Sequence, residues 1–376
     1  QNLYTSGRPS SANYNGRAEK FNSSASLQWA KEYSESNTNI FTFISSETDG
    51  SYVYTTGNAR HSDTGQFDRV PLVKIDVSTG NVNAACLTDS TSTFYFNVGE
   101  RMTLDNSGNI LIAAKNLPVT GSGQYSTIFK FNTSLSRLWA TTLHVGTIGS
   151  GGRLEPRAIT CDTNGNVYVV GNTNQDVGSG ERSYVSLSKL NSSGVLQFSY
   201  FYYLPSNNST TMDNAKISVD TDGSIFVAAS ATISNYFTPT GSSQIRTLFW
   251  KFDSSGNVDF CHCFGHQTGT GSYTQATAKS RINEGLVYNN IEVVASTNHS
   301  GVLALPTDGS GLGSYSSTSF GDYAYEDTNA SITRASLSVS SSSLTDWTTS
   351  STTITVTNKS YSTTTPSTTF ENLPLT

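Results

Sequence analysis

One stretch of this chain recurs at a nearly fixed interval, and every copy has the same order of apolar runs and turn residues. The clearest copies are Cys161-Asp162-Thr163-Asn164-Gly165-Asn166-Val167-Tyr168-Val169-Val170-Gly171 and Val219-Asp220-Thr221-Asp222-Gly223-Ser224-Ile225-Phe226-Val227-Ala228-Ala229. A third is Leu104-Asp105-Asn106-Ser107-Gly108-Asn109-Ile110-Leu111-Ile112-Ala113-Ala114, and looser copies centre on Asp49-Gly50 and Glu284-Gly285. The turn glycines fall at 50, 108, 165, 223 and 285, giving steps of 58, 57, 58 and 62. A period of this size means one supersecondary unit stacked several times, which constrains the fold before any other feature does.

A second landmark keeps phase with the first. Lys20-Phe21-Asn22, Lys74-Ile75-Asp76, Lys130-Phe131-Asn132, Lys189-Leu190-Asn191 and Lys251-Phe252-Asp253 each end an apolar run. Nine residues after four of these lysines stands Trp29, Trp139, Phe198 or Phe260, whereas the second copy has Asn83. Each repeat reads as four short strands: one with the aromatic, one ending at the Asp, one after the Gly and one ending at the Lys. Asp-x-x-Gly and Asn-Gly between apolar runs are hairpin turns, because Gly and Asn tolerate positive φ. No stretch sustains a 3.6-residue apolar period, so the chain is expected to be all-β. The Lys is expected to end the last strand of its sheet, its stem covering apolar surface and its charge blunting the edge.

Four antiparallel strands repeated radially make a β-propeller blade. Gln1-Asn2-Leu3-Tyr4-Thr5-Ser6-Gly7 is similar to Gly165–Gly171, so the chain begins in mid-blade, at a third strand. Asn329-Ala330-Ser331-Ile332-Thr333 is similar to Asn214-Ala215-Lys216-Ile217-Ser218, a second strand. The expectation is a propeller over residues 1–335 with five whole blades and a sixth shared between the termini, followed by an extended tail over 336–376. The rival expectation is a fragment or processed product of a longer protein, with which the absent initiating Met agrees.

Charged residues make up 13% of the chain, about half the usual share, and Ser, Thr, Asn and Gly replace them. Such neutral polar surfaces accompany extracellular and virion proteins. A net charge of −6 without a basic stripe argues against nucleic acid as a partner. No run of 18 apolar residues suits membrane insertion, and no signal peptide is recognisable, although a removed leader would fit the missing Met. Cys86, Cys161, Cys261 and Cys263 are too few to make a disulfide framework, and Cys161 is expected to be a small core residue.

Between Ser331 and Phe370, 25 of 40 residues are Ser or Thr. Thr353-Ile354-Thr355-Val356-Thr357 alternates like a strand, whereas Ser338 to Ser343 reads as disordered by composition. A weakly charged tail without a core of its own is expected to gain order by adding strands to another subunit, against the alternative of a flexible linker.

The candidates for chemistry are few. Cys261-His262-Cys263-Phe264-Gly265-His266 has ligand types for zinc or copper, but alternation puts Cys261 and Cys263 on one face and His262 on the other. Whether Cys261, Cys263 and His266 hold a metal stays open at this level. The Asp162 and Asp220 turns resemble the start of a calcium loop, yet position 12 falls on Thr173 and Ala231 rather than Glu, so side chains capping their own turns are the simpler reading. His61, His144, His262, His266 and His299 show no nucleophile pattern, and Glu155 and Glu181 are isolated carboxylates in expected loops. An acid pair that meets only in the fold would escape this reading. No catalytic, cofactor-binding or metal residue is assigned, and the chain is expected not to be an enzyme. Phe198-Ser199-Tyr200-Phe201-Tyr202-Tyr203 is read as packing in the first strand of a blade rather than as a glycan platform. The sequons at Asn191 and Asn298 are expected by chance in so Ser/Thr-rich a chain.

The run Asp-x-x-Gly-Asn-Val-Tyr-Val-x-Gly over 162–171, with Leu-x-Lys-Leu-Asn-Ser-Ser-Gly-x-Leu-Gln-Phe over 187–198, resembles the bacterial SBBP-type β-propeller repeat family, and weaker copies extend it over about 1–335. Leu303-Ala304-Leu305-Pro306 departs from the pattern by lacking the Lys. The resemblance implies a secreted bacterial surface protein or a virion protein of a tailed phage, and the Ser/Thr-rich end is similar in style to marine phage structural proteins. The function it implies is a non-enzymatic, extracellular virion component of tail, fibre or surface, serving assembly or host attachment. Its expected partners are other structural subunits, reached through the tail, and a host glycan or protein. The alternative is a secreted or cell-surface bacterial propeller that binds glycans or proteins or builds a filament. An enzyme with a site in the central channel is the third.

Overall fold

The computed structural model describes residues 2–358 apart from 8–14, 25, 37, 62–66, 89–93, 177–180, 204–209, 234–243, 267–271, 282–284, 295–296, 306–307, 311, 318–320, 328–331 and 344–348. Among the described residues every regular element is a strand. The first sheet takes β1 (Leu3–Gly7), β2 (Gly16–Phe21) and β3 (Leu27–Glu35). The second takes β4 (Thr38–Thr48), β5 (Tyr52–His61), β6 (Phe67–Asp76) and β7 (Val82–Thr88). Then come β8 (Phe94–Leu104), β9 (Ile110–Pro118), β10 (Ser122–Phe131) and β11 (Arg137–Val145). The next repeat holds β12 (Ser150–Cys161), β13 (Val167–Asp176), β14 (Glu181–Leu190) and β15 (Leu196–Tyr203). It is followed by β16 (Thr210–Val219), β17 (Ile225–Ile233), β18 (Gln244–Phe252) and β19 (Val258–His266). The last repeat has β20 (Ser272–Arg281), β21 (Gly285–Val294) and β22 (Thr297–Leu305). A C-terminal series follows: β23 (Gly313–Ser317), β24 (Gly321–Asp327), β25 (Thr333–Ser336), β26 (Val339–Ser343), β27 (Thr349–Ser351) and β28 (Ile354–Asn358).

The described residues divide into two compact units, one drawn from residues up to 159, 192–195 and 339 onward, the other from 160–191 and 196–338. In the first unit the sheet orders are β1-β2-β3-β28, β4-β5-β6-β7-β27 and β8-β9-β10-β11-β26. Tyr33, Phe41, Phe43, Val53 and Ile75 form one buried cluster, and Tyr54, Leu72, Ile110, Ile112, Phe129 and Phe131 another. In the second unit the orders are β13-β14-β15-β25, β16-β17-β18-β19-β24-β23 and β20-β21-β22. Its core includes Tyr168, Leu187, Leu190, Tyr202, Ile225, Trp250 and Phe252.

These orders correct the expected phase of the repeat. The aromatic strand closes the sheet begun by the preceding Asp strand: Lys20 pairs with Trp29, Lys130 with Trp139, Lys189 with Phe198 and Lys251 with Phe260. The loop between the Lys and aromatic strands is too short for anything but a hairpin, so the two must be neighbours. The Lys strand is therefore interior, and its charge does not guard an edge. Instead the ammonium lies over the ring of an adjacent strand, 3.9 Å from the Tyr52 centroid for Lys74 and 5.0 Å from Tyr168 for Lys189. Lys130, opposite Leu111, instead pairs with the turn carboxylate of Asp105 at 2.9 Å.

Register also places Ala84, not Asn83, opposite Lys74, because the loop over Asp76–Asn81 carries one more residue than its sisters. The second repeat thus has a small residue where the others have an aromatic. Each aromatic strand in turn grips the next repeat's loop. Trp29 Nε1 donates to Val77 O at 3.1 Å and Tyr33 Oη to Gly80 O at 2.8 Å. Trp139 Nε1 donates to Ser192 O at 3.1 Å, Thr141 Oγ1 to Gly194 O at 2.8 Å, and Tyr202 Oη to Gly256 O at 2.7 Å. Gly80, Gly194 and Gly256 have φ of 69°, 80° and 77°, and a Cβ on Gly80 or Gly194 would meet a Trp ring at 2.8–2.9 Å. The position that answers Gly80 in the third repeat is Leu135, at φ 61° and buried in one cluster with Ala84 and Cys86. Leucine occupies the space that tryptophan fills elsewhere.

The two termini do share a sheet, but through other residues and at the other edge. In the corrected order β1 corresponds to the second strand of the other repeats, and it is the edge strand of the sheet β1-β2-β3-β28. The C-terminal strand that joins it is β28, on the far side of β3, whereas β25 at Thr333–Ser336 pairs with β15. Residues 329–331 of the expected partner lie outside the described residues. The cause is pattern: Ile354-Thr355-Val356-Thr357 offers two β-branched apolar side chains to one face, which suits the half-covered cluster behind β3. Residues 339–343, expected to be disordered, form β26, since backbone pairing with β11 needs no apolar side chains.

Candidate functional site

An outermost strand exposes a row of backbone donors and acceptors that another strand can take up. In this chain the aromatic strands are such edges, and the C-terminal strands occupy them in reverse order. β24 pairs antiparallel with β19, β25 with β15, β26 with β11, β27 with β7 and β28 with β3. Ile354 and Val356 pack on the cluster of Tyr33, Phe41 and Phe43, while Thr355 and Thr357 are exposed. Thr352 Oγ1 donates to Glu35 Oε1 at 3.3 Å. Leu337 is buried and its N–H donates to Ser199 O at 3.0 Å. The Arg334 guanidinium stacks 4.4 Å from the Tyr200 ring centroid and donates to Ser255 O at 3.3 Å. What this arrangement can do is bind chains by their backbones, with few side chains setting the register.

A cluster of charge lies in the first unit. The buried carboxylate of Glu155 on β12 accepts from Lys115 Nζ at 2.9 Å, from Arg153 at 2.5 Å and from Arg157 at 3.3 Å. Burial acts to raise its pKa, but hydrogen bonds from Arg153 and Lys115 and the charges of Arg157 and Lys115 outweigh this and hold it below the usual range. Glu155 was expected in a loop as an isolated carboxylate; it sits instead in a strand, inside an ion cluster. Its partners are spaced by two along β12, or come from β9, which no linear motif signals.

The Asp turns bind their own backbone. Asp162 Oδ1 accepts from the N–H groups of Asn164 and Asn166 at 2.9 and 2.8 Å, and Oδ2 from Asn166 Nδ2 and Tyr168 Oη at 2.7 and 3.2 Å. Asp105 repeats the pattern with Ser107 and Asn109, and Asp253 with Ser255 and Asn257. Asp76 is held at about 2 by Ser78 and Thr79, which donate to Oδ1.

Cys261 is buried and His262 stacks on Phe260 with centroids 4.5 Å apart. The side chains of Cys263 and His266 lie outside the described residues, as do those of His61, His299, Glu181 and Asn298. Among the described residues no three His, Cys, Asp or Glu side chains come together. Cys161 is half-buried rather than a core residue. His144 Nδ1 donates to Gly146 O at 2.8 Å, and its ring meets Tyr125 edge-on at 5.9 Å. In the aromatic run Phe201 and Tyr202 are buried and Phe198 stacks on Tyr200 at 4.9 Å. This run forms the last strand of its repeat, not the first.

No curated protein matches the chain. Residues 141–177, from the aromatic strand β11 through the Asp162 turn to the end of β13, match the SBBP family of beta-propeller repeats. Residues 141–177 of this all-β chain therefore carry a repeat of the SBBP beta-propeller type.

Proposed function

We propose that the protein is a non-enzymatic structural and binding component, built as a six-bladed propeller, that works outside the cell within a larger assembly. In this reading the first blade is shared between β1–β3 and the C-terminal series, and the blades present loops to a host surface or to neighbouring subunits. The setting that fits the repeat and the Ser/Thr-rich end best is a phage virion, as a tail, fibre or surface component. The observation that supports the reading is the beta-propeller repeat at residues 141–177, beside C-terminal strands that pair within this chain along the edges of its sheets, strand addition being a mode by which β-sheet assemblies are also built. The low charge and the Asp carboxylates committed to their own turns favour binding over catalysis.

Immunogold electron microscopy on native source material tests this, with one antibody to the repeats and one to residues 336–376. Propeller label on phage particles with the tail epitope masked supports the virion role. Label on cell surfaces or filaments without particles overturns it in favour of a bacterial surface protein.

A further inference from the structure

We propose that the cations gathered around Glu155 form a binding site for an oxyanion, the carboxylate or sulfate group of an acidic ligand. Lys115 on β9 and Arg153 and Arg157 on β12 all reach this one carboxylate, at 2.9, 2.5 and 3.3 Å. Three positive groups thus converge on a single negative one. Cations held this close repel one another, so an oxyanion that touches two or more of them gains more than it would from a lone surface cation. The cluster reaches solvent on its cationic side. The Glu155 side chain is 4% exposed, whereas those of Arg153, Arg157 and Lys115 are 29%, 20% and 18% exposed. An incoming anion therefore meets guanidinium and ammonium groups before the carboxylate behind them.

Polar groups of β10 stand beside the cations. Ser126 pairs with Lys115 in the antiparallel ladder, and Gln124 pairs with Arg153 in the parallel one. Alternation puts Gln124 and Ser126 on the face that carries Lys115. Ser126 is 1% exposed, and neither its Oγ nor Gln124 Oε1 meets a hydrogen-bond partner. A buried hydroxyl left without a partner costs stability, and an anion at the cluster would accept its hydrogen bond. The ladder step next to Gln124 and Arg153 is Ser122 opposite Ser150, flanked by Gly121, Gly123, Gly151 and Gly152. No bulky side chain of these residues shields Arg153 from that side. The chemistry favours a planar or tetrahedral oxyanion over a halide: a guanidinium fork holds two oxygens at once and a hydroxyl a third, whereas a spherical ion gains from charge alone. Such a group can be carried by a glycan or arrive as a free ion.

Isothermal titration of the full chain tests this in chloride buffer at fixed ionic strength, with sodium sulfate in one arm and a sulfated, uronate-containing disaccharide in the other. A saturable one-to-one heat is expected. Disaccharide binding tighter than sulfate by about fivefold or more assigns the group to a glycan, and a smaller difference assigns it to the free ion. Arg153→Met and Lys115→Met should each weaken binding about tenfold, the worth of one charge-assisted hydrogen bond. Arg17→Met, which breaks the pair with Glu19 on β2, should leave binding unchanged. Three results overturn the proposal: no saturable heat from the unaltered chain in either arm, undiminished binding by the Arg153 and Lys115 variants, or an equal loss on Arg17→Met. The first of these needs no variant to fold. None depends on where the protein is found, so failure here is separable from failure of the particle labelling.

Discussion

Replacing Gly80 with leucine tests whether the repeats are locked together by the fit of a tryptophan against a bare backbone. Gly80 has φ 69° and its Cβ would lie 2.9 Å from Cδ2 and Cε3 of Trp29. The left-handed conformation costs a side chain about 1–2 kcal/mol, and forcing atoms into the filled space about 1–3 kcal/mol more. Gly80→Leu should therefore destabilise the protein by about 2–5 kcal/mol. The third repeat shows the remedy, since Leu135 holds φ 61° beside a sheet whose aromatic position is Ala84. Trp29→Ala alone should cost about 2 kcal/mol, less than a fully buried Trp because the ring is half-exposed, and it also removes the bond to Val77 O. The double variant should recover the overpacking part, a coupling of about 1–3 kcal/mol, and retain the backbone strain and the cost of losing Trp29. Urea unfolding of the four proteins, followed by far-UV circular dichroism, measures the cycle. Costs that add to within about 0.5 kcal/mol would refute the reasoning.

Three other outcomes are expected. Glu155 and Asp105 are both held below their ordinary pKa, so their stabilisation is full above about pH 5 and is lost as the pH falls through their folded values; Asp105→Asn should lower stability near neutrality and flatten the acid limb of a Tm-against-pH curve. Removing residues 354–376, or placing Lys at Val356, should lower the urea midpoint by an amount equivalent to about 1–3 kcal/mol, from the apolar contacts Ile354 and Val356 make with the Tyr33 cluster, and an unchanged midpoint would mean β28 contributes nothing. Dialysis against a chelator should leave the Tm unchanged, because Cys261 is buried beside Trp250 in the ladder and the described Asp carboxylates serve their own turns.

The repeat grammar made the strands, their turns and their antiparallel order readable, because Asp-x-x-Gly and the Lys-to-aromatic spacing are local signals. It did not reveal where one sheet ends and the next begins. A periodic string can be cut at any phase, and only the pairing of Lys20 with Trp29 decides the cut. The exchange of Gly80 and Trp29 for Leu135 and Ala84 was hidden for a related reason, since it joins residues 51 positions apart whose relation is set by how consecutive repeats meet. The tail was legible as strand-forming at Ile354-Thr355-Val356-Thr357. It was illegible at Val339–Ser343, where order comes from the edge of β11 and not from the side chains themselves. The cluster at Glu155 left no linear trace at all.

The reversed order in which the tail pairs also bears on how the chain is made. Thr352 meets Glu35 across 317 residues, so the sheet of β1–β3 is made long before the strand that completes it. Contacts of such separation are closed late, at a high entropic cost, and slow folding accordingly. Until residues 333–358 emerge, β3, β7, β11 and β15 stand as open edges able to pair with any nascent neighbour. A tail rich in hydroxyls and poor in apolar side chains is suited to that interval, for it stays solvated until an edge accepts it. Synthesis that stops short of residue 333 would leave a population of repeats competent to associate with one another but not to finish themselves.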